Sequence, residues 1–416
     1  GTCVAACPEP GAIRLLNHLA TVDLDRCKGH GTCAAACPVG AIVVTSGDAV
    51  QQVEVPEVDA HFQTEVPGLY VVGELGGRGL TFAECMREQR RLGYYAHATA
   101  LAMNMHVYWV GVAADLWRAG DHSLEWMLQG AVAGEVFAAG HAERGNDLSA
   151  LLSTTKAERV AGGYKFTGHK LFGSLTPDWT YLGLQALDSS DPAAPKIVHA
   201  FMPRATEGYS IKETWDVLGM RATASQDTIL QGAFVPDRYI ARVVPAGFAG
   251  VDQFVLTIFA WALIGFANVY YGLARHALDV TIDNLKTKTS IALASGSLIH
   301  HPEVQHAVAD MVIEMEGIGP QIDRIADDWT QGVDHGGAWP VKIVATKHRV
   351  AEAVWRVVDT ALDLSGGAGI FATSGIERLF RDARLGRIHP TNSALTHEVV
   401  AKLTLGIDPD AQPRWG

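Results

Sequence analysis

The densest chemistry in this 416-residue chain lies at its start. Five of its six cysteines fall within the first 37 residues. They read Cys3-x3-Cys7-Pro8 and then Cys27-x2-His30-x2-Cys33-x3-Cys37-Pro38, with the Cys-x3-Cys-Pro unit recurring after 30 residues. Crowding of this kind points to thiolate ligation of metal rather than to a disulfide framework. His30 adds an imidazole within the same run, and imidazole is a common metal ligand. A second candidate lies far away at His389, whose imidazole can act as a base near neutral pH. The sixth cysteine, Cys85, sits in a helical pattern and is expected to be buried and inert.

The second cysteine run resembles the bacterial ferredoxin pattern C-x2-C-x2-C-x3-C-P, with His30 in the second cysteine slot. In that pattern the fourth cysteine of each run ligates the other cluster. The resemblance implies an iron–sulfur cluster, 4Fe–4S or 3Fe–4S, on Cys7, Cys27 and Cys33, with His30 as a fourth ligand. A second cluster would use Cys3 and Cys37, and its remaining ligands would precede Gly1. Residues Thr64 to Glu74 are similar to a late strand of FAD-dependent pyridine-nucleotide oxidoreductases. No βαβ unit opened by G-x-G-x-x-G accompanies them, so a surface strand and turn is the expectation.

Elements must position these groups. From Leu80 to about Val132 apolar residues recur at helical spacing, punctuated by Gly120 and Gly130. From about Ala133 to Ala246, Val-, Thr-, Tyr- and Phe-rich strands alternate with Gly, Asp, Ser and Pro turns. Helical spacing returns from Asp252 to about Gly406. The expected fold class is multidomain α+β. Its expected parts are an iron–sulfur fragment (1–45), a linker (46–76), a helical part (77–132), a β-rich part (133–247) and a helical C-terminal part (248–410). Phe254 to Ala274 is uncharged and long enough to span a bilayer. Its Gly265, Asn268 and Gly272 favour a buried bundle helix instead. Trp261, Tyr270 and Tyr271 are expected to pack in the core. The cationic tract Met86 to Leu92 is expected to be a solvated helix face.

Composition narrows the function classes. The chain is 48% hydrophobic and 19% charged, the balance of a globular protein. A formal net charge of −12 offers no basic surface for nucleic acid. Residues 1–20 show no secretory signal pattern, so a cytoplasmic location is expected.

The tracts after residue 75 resemble, in order and spacing, those of the acyl-CoA dehydrogenase superfamily. Gly145-Asn146-Asp147 stands where that family has G-S-D, in a loop that contacts the flavin. Gly162 to Ser174 resembles its G-g-Y-x-L-N-G-x-K-x-W-I-T tract. There Phe172 takes the place of the aromatic that covers the flavin, and Ser174 that of the hydroxyl that reaches flavin N5. Leu218-Gly219-Met220-Arg221 and Arg381-Asp382-Ala383-Arg384 also match. Lys288 and Ser290 take the places of an Arg and a Thr that bind phosphate. Gly366-Gly367-Ala368-Gly369 matches G-G-x-G, with Asp363 where a Gln is usual. The resemblance implies a partial helical N-terminal domain (77–132), a central β-barrel-like domain (133–247) and a C-terminal four-helix bundle (248–410). It also implies bound FAD, an acyl-CoA substrate, an electron-transfer flavoprotein partner and a homodimer or homotetramer.

In that family a Glu removes the thioester α-proton while the β-hydride passes to flavin N5. Desolvation raises the pKa of such a carboxylate and makes it a competent base. The count from Arg381 places Pro390 at this position, directly after His389. The family's alternative position falls at Trp261 or Ala262, and Glu398 lies eight residues past Pro390. The primary expectation is α,β-dehydrogenation of an acyl-CoA thioester. The alternatives are a flavin-dependent monooxygenase of the same fold, with His389 as the catalytic residue, and an iron–sulfur/flavin electron-transfer fusion.

Overall fold

The structure is a computed structural model. It describes residues 6–8, 12–16, 19–22, 26 and 80–411. The chain divides into two compact units, residues 1–57 and 58–416. In the first, β1 (Ile13–Leu16) and β2 (Leu19–Val22) form an antiparallel pair with Ile13 opposite Val22. Cys7 is half-buried there. Cys3, Cys27, His30, Cys33 and Cys37 lie outside the described residues, as do Thr64 to Glu74. Among the described residues, no group of three His, Cys, Asp or Glu side chains is arranged to hold a metal.

In the second unit the first described elements are α1 (Phe82–Arg118) and α2 (Glu125–Val132). A capping box starts α1. The Thr81 hydroxyl accepts from the Glu84 N–H, and the Glu84 carboxylate accepts from the Thr81 N–H at 2.8 Å. Eight strands then form one sheet: β3 (Phe137–Gly140), β4 (Lys156–Val160), β5 (Gly163–Gly173), β6 (Tyr181–Asp188), β7 (Lys196–Pro203), β8 (Tyr209–Lys212), β9 (Gln226–Pro236) and β10 (Ile240–Pro245). Their order is β10-β7-β6-β4-β5-β9-β8, with β3 parallel to β6. The two end strands do not pair among the described residues, so the sheet is open where a barrel-like closure was expected. The helices α3 (Gln253–Thr287), α4 (Pro302–Thr330), α5 (Trp339–Ser365), α6 (Ile376–Arg384) and α7 (Ser393–Leu405) complete the unit.

Helix α3 holds the long apolar stretch, and its most hydrophobic window is 78% buried inside the protein. Trp261 and Tyr270 are buried, while Tyr271 is half-buried beneath the Arg90 guanidinium. The four long helices do not separate into N- and C-terminal sets. Helix α1 lies along α3, and both contribute to one core. Glycine permits this approach: a Cβ at Gly93 would meet the Val269 carbonyl oxygen at 2.5 Å, and one at Gly272 would meet that of Arg90 at 2.2 Å. The cationic tract on α1 is correspondingly less solvated than its charge suggests. Met86 and Gln89 are buried, Arg87 pairs with Asp327 at 2.9 Å, and Arg90 pairs with Asp323 at 2.6 Å. Helix α4 covers this face and supplies both carboxylates.

The buried carboxylate of Asp382 on α6 joins three parts of the unit. One oxygen lies 2.6 Å from Nε2 of His97 on α1. The other accepts the N–H of Met220, in the turn between β8 and β9. Truncating such a group strands a buried donor and an imidazole together. Asp382→Ala is expected to cost about 3 kcal/mol or more of stability. A urea unfolding midpoint unchanged from the parent would refute that role.

Candidate active site

A cavity of about 390 Å³ opens where the sheet meets the helices. One wall is helical. Leu101, Met105 and Tyr108 come from α1, and Ile258, Phe259, Ala262, Leu263 and Phe266 from α3. The period of 3.6 residues places each set on one helix face. The opposite wall comes from the sheet: His141 and Ser149 after β3, Phe172 and Ser174 at the end of β5, and Trp215, Met220, Thr223 and Ser225 between β8 and β9. Ile388, His389 and Pro390, between α6 and α7, close the third side.

The polar groups are few and mostly neutral. Ser174, Ser225 and Thr223 form a buried hydroxyl chain with O···O separations of 2.8 and 2.6 Å. The Thr223 hydroxyl is 2.9 Å from the Met220 carbonyl oxygen. Just before Ser174, Phe172 adopts φ of 56°, a left-handed conformation unusual for a bulky residue. The residue is 57% exposed, and its ring meets Trp215 edge-on at 6.0 Å. Such a wall can cover a flat cofactor.

His389 faces the cavity while protein surrounds its ring. Nδ1 lies 3.3 Å from the Tyr270 hydroxyl, and Phe266 packs on the ring at 5.0 Å. Burial, with the nearby Lys347 ammonium, pushes its pKa down to about 3, so the imidazole is neutral at physiological pH. Lys347 comes from the inner face of α5 and donates to the carbonyls of Gly386, His389 and Thr391 at 3.0, 2.6 and 3.1 Å. It thereby fixes the segment that carries His389.

Beneath the sheet wall lies a buried ion pair. The Glu143 carboxylate accepts from Lys170 Nζ at 2.6 Å, Ser153 at 2.7 Å, and the Thr154 and Thr155 N–H groups. Burial alone would raise its carboxyl pKa, but the Lys170 ammonium and the donated hydrogen bonds hold it at about 2. This network anchors the loop that continues through Gly145, Asn146 and Asp147. Gly145 adopts φ of 77°, and Asn146 donates to Glu143 at 3.0 Å and to the Leu152 carbonyl at 2.8 Å.

The expected site residues therefore divide. Phe172, Ser174 and His389 line the cavity. Gly145 and Asn146 shape the adjoining loop, and Asp147 borders a second cavity. Lys288, Ser290, Gly366, Gly367 and Gly369 lie elsewhere. Lys288 donates to the Leu364 and Ser365 carbonyls at 3.0 and 2.6 Å, closing the end of α5 beside the glycine turn. Sequence reasoning missed Tyr108, His141, Ser225 and Lys347 as parts of the site.

No Asp or Glu is among the described residues that line the cavity. At the family's base positions stand Pro390 and Ala262 on the wall, and Trp261, buried with Nε1 donating to Asp115 at 2.7 Å. Glu398 accepts from Lys402 at 2.8 Å and does not reach the cavity.

Residues 250–403 match the family described as acyl-CoA dehydrogenase, C-terminal domain. A putative acyl-CoA dehydrogenase from Bacillus subtilis is 25% identical over 79% of this chain and 84% of its own. An amino sugar nitrososynthase from Streptomyces peucetius is 26% identical over 82% and 84%. Among solved structures, butyryl-CoA dehydrogenase from Megasphaera elsdenii superposes with a TM-score of 0.67 at 18% identity, over 79% of this chain and 83% of that one. A KijD3 complex with FMN and a dTDP-linked amino keto sugar gives 0.67 at 21%, over 80% and 82%. The chain thus carries the acyl-CoA dehydrogenase fold.

Acid stability follows from the buried imidazoles. His141, His199 and His389 are each pushed down to about 3, chiefly by burial. As pH falls below about 6.5, the unfolded chain takes up protons that the folded chain refuses. Stability is therefore present above that pH and falls by up to about 1.4 kcal/mol per unit for each such group. Below about 4.5, protonation of Glu143 in the unfolded chain adds to the loss. His199 has no hydrogen-bond partner at either ring nitrogen among the described residues and packs on Phe254 at 5.3 Å. His199→Phe is expected to leave neutral-pH stability unchanged or improved and to flatten the acid slope. Urea midpoints between about pH 7 and pH 5 check it, and an unaltered slope would overturn it.

Proposed function

We propose that the protein is a flavin-dependent monooxygenase acting on a small, largely apolar substrate. The observation that carries this reading is the cavity wall: it has no described carboxylate to serve as a base, and it presents a neutral His389 beside the family's position for one. The similarity to a nitrososynthase supports it.

The residues fit a flavin. A planar ring would lie against Phe172 and Trp215, and Ser174, with Ser225 behind it, offers a short donor at its polar edge. FAD or FMN would be held by these groups together with the Gly145–Asp147 loop. A reduced flavin supplies two electrons to dioxygen, so that one oxygen atom passes to the substrate and the other leaves as water. The chain's own residues have narrower tasks. The neutral His389 imidazole offers one N–H donor and one acceptor nitrogen to a bound group, and the Tyr270 hydroxyl fixes Nδ1. The apolar helical wall excludes bulk water, which protects a reactive oxygen species from loss. Acyl-CoA dehydrogenation stays a second reading because the match over residues 250–403 bears that family's name.

Anaerobic titration separates the two. Protein loaded with FAD or FMN is mixed with thioesters from butyryl- to palmitoyl-CoA. Unchanged flavin absorbance is expected, and bleaching would overturn the proposal in favour of dehydrogenation. With reduced flavin, candidate amine, sulfur and aromatic substrates are expected to incorporate labelled oxygen from dioxygen. His389→Ala is expected to lower that yield about 10²-fold with flavin binding retained.

A further inference from the structure

A second cavity of about 230 Å³ lies beyond the first. It is bounded by the first turns of α3 and α5, by α7 and by the loop after β3. The two cavities share Ser149, Phe259 and Pro390 as a common wall. Its lining is overwhelmingly apolar, with Leu256, Ile343, Val344, Leu395, Val399 and Leu403 dominating. One of its few polar side chains, Thr391, is already bonded to Thr396 at 2.8 Å.

Close-packed interiors seldom leave an apolar space of this size, because unfilled lining forfeits contacts. An apolar recess of this kind favours apolar ligands over water, with Asp147 exposed at its rim. Alone it is smaller than the roughly 300–1,000 Å³ that an ordinary ligand site needs. It suits part of a ligand whose remainder sits next door. The shared wall consists of two small contributions, from Ser149 and Pro390, and one side chain that rotates about two bonds, Phe259. Phe259 is only half-buried, since cavities lie on both sides of it.

We propose that the second cavity receives the uncharged apolar tail of the substrate, whose polar, reacting head occupies the first, and that Phe259 turns aside to admit it. The substrate class is then amphipathic, with a narrow hydrocarbon or aromatic extension. This rests on the reading of the first cavity as the reaction chamber.

The probe is a series of straight-chain primary amides from butanamide to dodecanamide, displacing the uncharged fluorophore N-phenyl-1-naphthylamine from the full chain. Affinity is expected to rise about fourfold per added methylene well beyond the short amides. Val399→Trp fills the second cavity from α7 without touching the first. In that variant the rise is expected to stop early, with dodecanamide weakened more than tenfold and butanamide unchanged. Val399→Ala enlarges the same space, keeps the test alive if the tryptophan variant does not fold, and is expected to move the best chain length upward. A length profile identical in parent and variants would overturn the inference. Displacement needs no turnover, so its failure is distinct from a failure of the proposed function, which would appear as thioester bleaching or an absence of oxygen incorporation.

Discussion

Asp382 is the constraint on which the cavity depends. Its two carboxylate oxygens bind an imidazole on α1 and a backbone N–H between β8 and β9, while its own helix leads into the His389 segment. Those are the three walls of the chamber. A Cβ on Gly219, beside Met220, would meet the Arg381 carbonyl oxygen at 2.3 Å, so the strand connection lies directly on α6. Hydrophobic burial brings sheet and helices together without direction. A bidentate carboxylate with two specific partners fixes their register, as buried polar groups can. The Arg-Asp-Ala-Arg tract is thus an architectural joint whose chemistry is felt at the active site.

The order of structure was legible because periodicity reports burial. The shift from a helical period to strands and back marks the apolar faces of α1, the sheet and α3–α7. Closure of the sheet was not legible, since strand signals say nothing about which edges meet. The resemblance to family tracts singled out Phe172 and Ser174, and the count from Arg381 singled out the neighbourhood of His389; all three line the cavity. The same resemblance set Lys288 at the place of a phosphate-binding Arg. In the fold that ammonium faces two helix-end carbonyls instead, a partner set that no local pattern encodes. Lys347 and His141 were invisible for a related reason. A lysine on an apolar helix face between Val344 and Val350 looks like an exception to a pattern. Its purpose appears only when three carbonyls from a later segment converge on it.

These lysines share one arrangement. Lys347 and Lys170 each donate to backbone carbonyls or to a buried carboxylate behind the walls, and Lys288 does the same at the end of α5. The groups that face the chamber are hydroxyls, neutral imidazoles, aromatics and aliphatics. Charge one layer behind a dry wall still acts strongly across a short distance in a poorly polarisable interior. Burial chiefly, and Lys347 in its protonated form, oppose protonation of His389; burial also lowers the Lys347 pKa to about 7, so its share fades as pH rises through neutrality. A carboxylate at Pro390 or Ala262 would enter this chamber as a buried charge with no described cation on the lining to balance it. Replacing that group by neutral surfaces exchanges proton abstraction for exclusion of water and uncharged hydrogen bonding. The departure of this sequence from the dehydrogenase pattern is thus matched across the cavity rather than confined to one residue, as the proposed oxygenase function requires.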